Sequence, residues 1–455
     1  MMARAMAADP SVSLPNQHDG SWAGLKGAYR LLSNPAVDPH AMQQPHRDLT
    51  WQSCQKASVV LVAQDDTELD FSRRAARGSV SGMGRLSGPG LGRGLYQHTA
   101  LAVDASSRRV LGIVDQRWWV RAITPRHRET RRERQARQTE ADRWEQVART
   151  LAERHEPWEK TRLIHVGDRG SDVWRFMQAC GELDHGFVLR AQHDRAVMMI
   201  DSRSPSVAPK RLWATLQMQP PQAGLRLELT RQRKSEGTVT REPRTARVLL
   251  RVQTVTLPPP RNDPRTTHAA PLKVTAIHVH EEDLPKGIKP AQRIDWMLLT
   301  SEPVHDVAEA LRLIGYYQQR WLIEEFHRCL KQGCRLEASR LDQVADIQRL
   351  AALHSVIAMR LIQMRDAARD PTIADDPAAL LHLATPAQRQ VVALWTGRGA
   401  ETLTPKQFYL AIAKRGGHLG RTRDGPPGWI TLHRGMRDLL IAADILARAR
   451  PPNCG

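Results

Sequence analysis

The chain has 455 residues, 41% hydrophobic, 25% charged and 5% aromatic, enough to bury a sizeable core in two or three domains without disulfide or metal staples. Lys+Arg minus Asp+Glu is 67 − 48 = +19, carried mostly by arginine, and a charge of that size points to a polyanionic partner, nucleic acid first. Five cysteines (Cys54, Cys180, Cys329, Cys334, Cys454) without a CxxC, no apolar h-region at the N-terminus and no bilayer-length apolar run argue against a disulfide framework, a zinc ribbon, a signal peptide and a membrane span, and for a cytosolic protein.

In chain order, residues 1–20 read as a disordered leader, SWAGLKGAYRLLSNP as a helix stopped by Pro35, and a short second helix follows Asp38. ASVVLVA (57–63) is too short and too β-branched for a helix and reads as a buried strand that surfaces at Gln64-Asp65-Asp66-Thr67. After a Gly-rich loop (82–94), YQHTALAVD and RVLGIVDQRWWVR alternate around ASSRR, the signal of a hairpin. Residues 126–160 predict a long, charged surface helix with Trp144, Val147, Ala148 and Leu151 on one face. LIHVGD (163–168) repeats the earlier pattern, a short apolar strand ending on Asp168, and SDVWRFMQACG opens a helix with Ser171 as its N-cap.

The strand GFVLRA (186–191) leads into a β-like stretch from about 192 to 295. His278 and His280 share one strand face there, and without a third ligand in view they read as a polar face more readily than as a metal site. Helices are predicted over 306–332 and 346–368, then at 404–414 and 431–449 in a Pro-rich tail.

The segment YYQQRWLIEEFHRCLKQGC (316–334) is the most informative. On an ideal helix Tyr317, Arg320, Glu324, Arg328 and Lys331 fall within an arc of about 80°, while Ile323, Phe326 and Leu330 lie almost opposite. The plain reading is an exposed face laced by i,i+4 ion pairs, each contributing about 0.2–0.5 kcal/mol. The alternative is a carboxylate that ligates a metal among cations that grip phosphates. If the strands ending on Asp65 and Asp168 pair side by side, three acids can meet at one sheet edge. That arrangement suits two Mg²⁺ ions in phosphoryl transfer, with no histidine base required.

The order of elements resembles the ribonuclease-H-like fold of DDE transposases and integrases. The string YYQQRWLIEEFHRCLK carries the YREK signature of the IS-four family of bacterial insertion-sequence transposases, and RWLIEEFH looks like the Tn-five type. GAYRLLSNP (27–35), Asp65-Asp66-Thr67, RWWVR (117–121), EADRW (140–144), Asp168-Arg169 with Asp172, and WMLLTSEPV (296–304) extend the likeness over about residues 20–370.

The resemblance implies an α/β catalytic core over 51–370 with a β-rich insertion at about 192–295. A shortened N-terminal end-recognition region (1–50) would precede it and a helical dimerisation domain (371–455) follow it. It makes Asp65, Asp168 and Glu324 the catalytic metal ligands, Asp65 being preferred to Asp66 by its place in the motif. Tyr317, Arg320 and Lys331 would hold phosphates, Trp296 would stack on a flipped base, and Arg190, His327 and Arg328 would contact DNA. The implied activity is Mg²⁺-dependent cleavage at transposon ends and strand transfer, with Mn²⁺ as a substitute ion. The implied partners are double-stranded terminal repeats, target DNA and a second copy of the chain, in the bacterial, nucleoid-associated cytoplasm. A non-catalytic transposase-derived regulator or inhibitor is the competing reading, and a basic RNA-binding protein is disfavoured by the scarcity of stacking aromatics.

Overall fold

A computed structural model describes residues 13–17, 21–88, 90, 92–121, 139–154, 160–198, 210–229, 232–233, 239–421 and 427–449. Most of the expected leader, the first part of the helix expected at 126–160 and Cys454 lie outside them. In chain order the main elements are α1 (Trp22–Ser33), α2 (Pro39–Cys54), β1 (Val59–Asp70), β2 (Arg93–Asp104), β3 (Val110–Trp119), α3 (Asp142–Glu153), β4 (Arg162–Gly167), α4 (Trp174–Glu182) and β5 (Gly186–Arg190). They continue with β6 (Ala223–Leu229), β7 (Arg244–Leu257), β8 (Leu272–Glu281), β9 (Asp295–Thr300), α5 (Val307–Gln319), α6 (Trp321–Arg328), α7 (Val344–Arg369), α8 (Pro386–Thr396), α9 (Pro405–Arg415) and α10 (Trp429–Ala449). The architecture is mixed α/β, as the sequence predicts. It divides into two compact units, Met1–Ala57 with Asp66–Thr124 and Trp321–Gly455, and Ser58–Asp65 with Pro125–Arg320.

The second unit is built on a mixed sheet of order β1-β4-β5-β9-β8-β7-β6. β1, β4 and β5 are parallel, with Val59 opposite Arg162 and Ile164 opposite Gly186, and the later strands join antiparallel. The apolar runs VVLVA, LIHV and FVL are nearly continuous because parallel strands at the centre of a sheet are buried on both faces. One face carries a core of Trp144, Phe176, Met177, Phe187, Leu189 and Met297. The β-rich stretch extends this same sheet through the long β7–β8 ladder from Val248–Glu281 to Leu257–Leu272.

In the first unit β2 and β3 form the expected hairpin, paired from Tyr96–Trp119 to Val103–Val110, and its turn holds Arg108 at φ 60°. α7 is buried along most of its length and packs against α1, α2, β3 and α9. In the C-terminal helices, a Cβ at Gly435 would lie 1.7 Å from the Ile412 carbonyl oxygen and one at Gly416 only 1.6 Å from that of Thr431. α9 and α10 therefore meet backbone to backbone, a contact that only glycine permits.

Four expectations are corrected. The helix after Asp38 is not short. It runs 16 residues, with the Asp38 carboxylate accepting from the His40 and Ala41 N–H groups. β1 does not end before its acids but carries them inside the strand, because it also borders β2. Ser171 does not cap α4. Its hydroxyl donates to the Asp168 carbonyl, and Val173 occupies the N-cap position without a side-chain bond. The helix predicted over 306–332 is broken, since α5 ends at Gln319, α6 spans Trp321–Arg328 and a π turn follows over Cys329–Gly333. A π turn changes the angular step per residue, so Lys331 leaves the phase that an ideal helix assigns it.

Buried histidines add an acid-sensitive element. In the second unit His165 Nδ1 lies 2.8 Å from Gln64 Nε2, and its Nε2 lies 3.0 Å from His185 Nδ1. Burial holds His165 well below its usual 6.5 and takes His185 to about 4. In the first unit burial takes His46 to about 4 and His354 to about 3. The folded state therefore binds fewer protons than the unfolded chain below pH 6.5, so this contribution to stability is complete above 6.5 and is lost as pH falls toward 4 and 3. We expect Tm to fall progressively across that window, and His354→Leu to make the fall shallower. Differential scanning calorimetry at constant ionic strength would show it, and a Tm independent of pH there would refute it.

Candidate active site

Asp65 and Asp168 come from the neighbouring parallel strands β1 and β4. The last paired positions are Ala63 and Val166, and each acid lies two residues beyond its own, so both stand at the same, C-terminal edge of the sheet. Ligand sites of open α/β sheets lie outside this edge. Asp168 is held there by local chemistry, because its carboxylate accepts from the Gly170 N–H at 2.8 Å and caps the turn Arg169–Ser171. Gly167 permits that turn. A Cβ on it would lie 2.3 Å from Ser171 Oγ and 3.0 Å from the Trp144 ring.

The same edge gathers other residues singled out in the sequence. Leu189 of β5 pairs with Gly167, so Arg190 is the next residue out, and its guanidinium donates to the Asp295 carbonyl at 3.0 Å. β9 runs antiparallel to β5 with Leu298 opposite Arg190, which brings Trp296 to the same end. The Trp296 ring meets Tyr317 of α5 edge-on at 5.5 Å, and Tyr317 is itself buried. Arg320, the C-cap of α5, places Nη1 3.6 Å from Asp65 Oδ2, both side chains being about 15% exposed (14% and 16%). Asp65, Asp168, Arg190, Trp296, Tyr317 and Arg320 thus occupy one end of the second unit.

The remaining candidates belong to the first unit. Glu324 sits in the first turn of α6, where a carboxylate suits the positive end of a helix. His327 is buried, with its ring 5.7 Å from Phe326. The Arg328 guanidinium lies 5.9 Å from the Trp321 ring centre, and Lys331 Nζ is 3.8 Å from Glu337. Asp66, the neighbour of Asp65, points to the other side of its strand and takes His98 Nδ1 at 2.6 Å. That bond gives Asp66 a structural partner of its own.

A residue whose role sequence reasoning did not resolve is Asp172, in the motif that begins at Asp168. Its side chain is fully buried and accepts from the N–H groups of Gln192 (2.7 Å) and His193 (2.9 Å) and from Arg195 at 2.7 and 3.0 Å. It ties the start of α4 to the segment after β5. Only the partners, twenty residues away in sequence, reveal the role.

Two acids at adjacent ends of parallel strands suit divalent cations, and a strongly basic chain suits a polyanionic substrate. The family model described as the transposase DDE domain matches residues 129–360, just over half of the chain, and the protein belongs to this family. The matched stretch includes Asp168, Glu324 and the rest of the helical stripe, and Asp65 lies ahead of it. Membership makes DNA the class of substrate and divalent cations the class of cofactor. The hard carboxylate oxygens of Asp65 and Asp168 fit such ions. Among the described residues no helix is long and apolar enough to cross a membrane.

Proposed function

We propose that the protein is a cut-and-paste DNA transposase of the IS-four, Tn-five-like type, with Asp65, Asp168 and Glu324 as the acids that hold two Mg²⁺ ions. The carrying observation is that Asp65 and Asp168 stand in the same register at neighbouring strand ends, with Arg320 3.6 Å from Asp65. When bound, the cations supply charge stabilisation for the attacking and leaving oxygens of an in-line displacement. The chain's own residues do the rest. Arg320, held at the acids by the Asp65 carboxylate, is a guanidinium ready to turn to a phosphate oxygen. Arg190, Arg328 and Lys331 bind the DNA backbone, and Trp296 offers an indole face to an unstacked base.

In this reading water cleaves the phosphodiester at the element's end, and the freed 3′-OH attacks the opposite strand to form a hairpin and release the flanking DNA. A second water hydrolyses the hairpin to give the 3′-OH back, and that 3′-OH attacks the target. The helices of 371–455 pair two copies of the chain. The test is cleavage of a plasmid carrying the gene's own flanking DNA by purified protein with Mg²⁺. Cuts at discrete flanking positions are expected, whereas specific binding with no cut would replace this reading by that of a transposase-derived regulator.

A further inference from the structure

Another group of metal-ligating side chains lies in the second unit, on the strands β8 and β9. His278 and His280 are two residues apart on β8 and so share a face, and Asp295, the first residue of β9, is the register partner of His280. Asp295 Oδ1 lies 2.8 Å from His278 Nε2 and 3.5 Å from His280 Nδ1, and one ligand atom from each of the three residues falls within 4.8 Å of the others. Among the described residues this is the group of three or more such side chains that converges so closely. His278 is only 1% exposed, and its Nδ1 makes no hydrogen bond.

We propose that His278, His280 and Asp295 form a binding site for one borderline transition-metal ion of the Zn²⁺ class. Tetrahedral ligands at the usual Zn–N distance of about 2.0–2.1 Å stand about 3.3 Å apart, and the two carboxylate–imidazole separations, 2.8 and 3.5 Å, bracket that value. Two imidazoles and one carboxylate select such an ion over Mg²⁺, which prefers an all-oxygen shell and suits the three acids instead. One coordination position remains for water. On the outer side of His280, Arg293 Nη1 approaches Nε2 at 3.5 Å. Metal on Nδ1 puts the ring proton on Nε2, and Arg293, which is exposed, swings into solvent.

The ion would fasten β8 to the first residue of β9. Trp296 follows directly, and the Asp295 carbonyl is the acceptor for Arg190 of β5, so the fastened strand end carries one residue proposed to meet DNA and anchors another. The site itself stands independently of the transposase reading.

The test is Co²⁺ titration of the full-length protein after EDTA stripping and dialysis, read by visible d–d absorption, with Zn²⁺ competing. His280→Gln and Asp295→Asn are the variants of choice because their side chains are 24% and 46% exposed, and far-UV circular dichroism checks that both fold. Wild type and Asp65→Asn should each bind one equivalent with a tetrahedral-type band that Zn²⁺ abolishes, and Zn²⁺ should raise their Tm. Both site variants should lose the band and the Tm rise. Absence of a band in wild type, its persistence in either folded site variant, or its loss in Asp65→Asn would overturn the proposal.

Discussion

Replacing Asp65 or Asp168 by Asn, or Glu324 by Gln, should reduce Mg²⁺-dependent strand cleavage by about 10³-fold or more while leaving DNA affinity within a few-fold of wild type. Each change removes a charge but little volume. Losing one hard ligand forfeits several kcal/mol of charge stabilisation in the displacement, and about 4 kcal/mol corresponds to three decades of rate. The fold should survive. Asn replaces Asp as an N-cap with little loss, so the turn that Asp168 caps over Arg169–Ser171 remains. Quantitative cleavage assays beside gel-shift titrations check this, and any variant that retains near-normal cutting removes its acid from the catalytic set.

Asp172→Ala should do the reverse, lowering stability by about 3–5 kcal/mol, because it strands a partly buried Arg195 and the N–H groups of Gln192 and His193 without their acceptor. Two acids four residues apart thus carry opposite expected phenotypes, one catalytic with an intact fold, the other structural. Chemical denaturation of the purified variants separates them. An Asp172→Ala protein as stable as wild type would show that the network contributes only geometry.

The elements most legible in the sequence are those whose signal is local. VVLVA and LIHV read as strands because β-branched runs of that length cannot make a helix, and the hairpin at 93–119 read from alternation around a turn. α1 and α7 followed from apolar periodicity, and their ends came within two residues of those expected. Asp65 and Asp168 were marked as site residues by the repeated pattern of an apolar strand meeting an acid. The motif string about Glu324 likewise lies in consecutive residues.

What the sequence left open depends on partners far along the chain. The π turn at Cys329–Gly333 has no local marker, and it changes the angular step per residue where Lys331 sits. Asp66 and Asp65 look alike in sequence, yet the pleat sends one to His98 and the other to Arg320. The pair His278 and His280 lacked a third ligand until the β8–β9 register supplied Asp295, which is 15 residues beyond His280 in sequence but its cross-strand neighbour.

The sequence by itself therefore determined the mixed α/β class and the family, because composition, periodicity and motifs are properties of neighbouring residues. Only the tertiary structure decided which acid faces which cation, which carboxylate is a buried brace and which histidines converge. Strand register and burial arise from long-range pairing, and a shift of one residue in register would send each of these side chains to the opposite face.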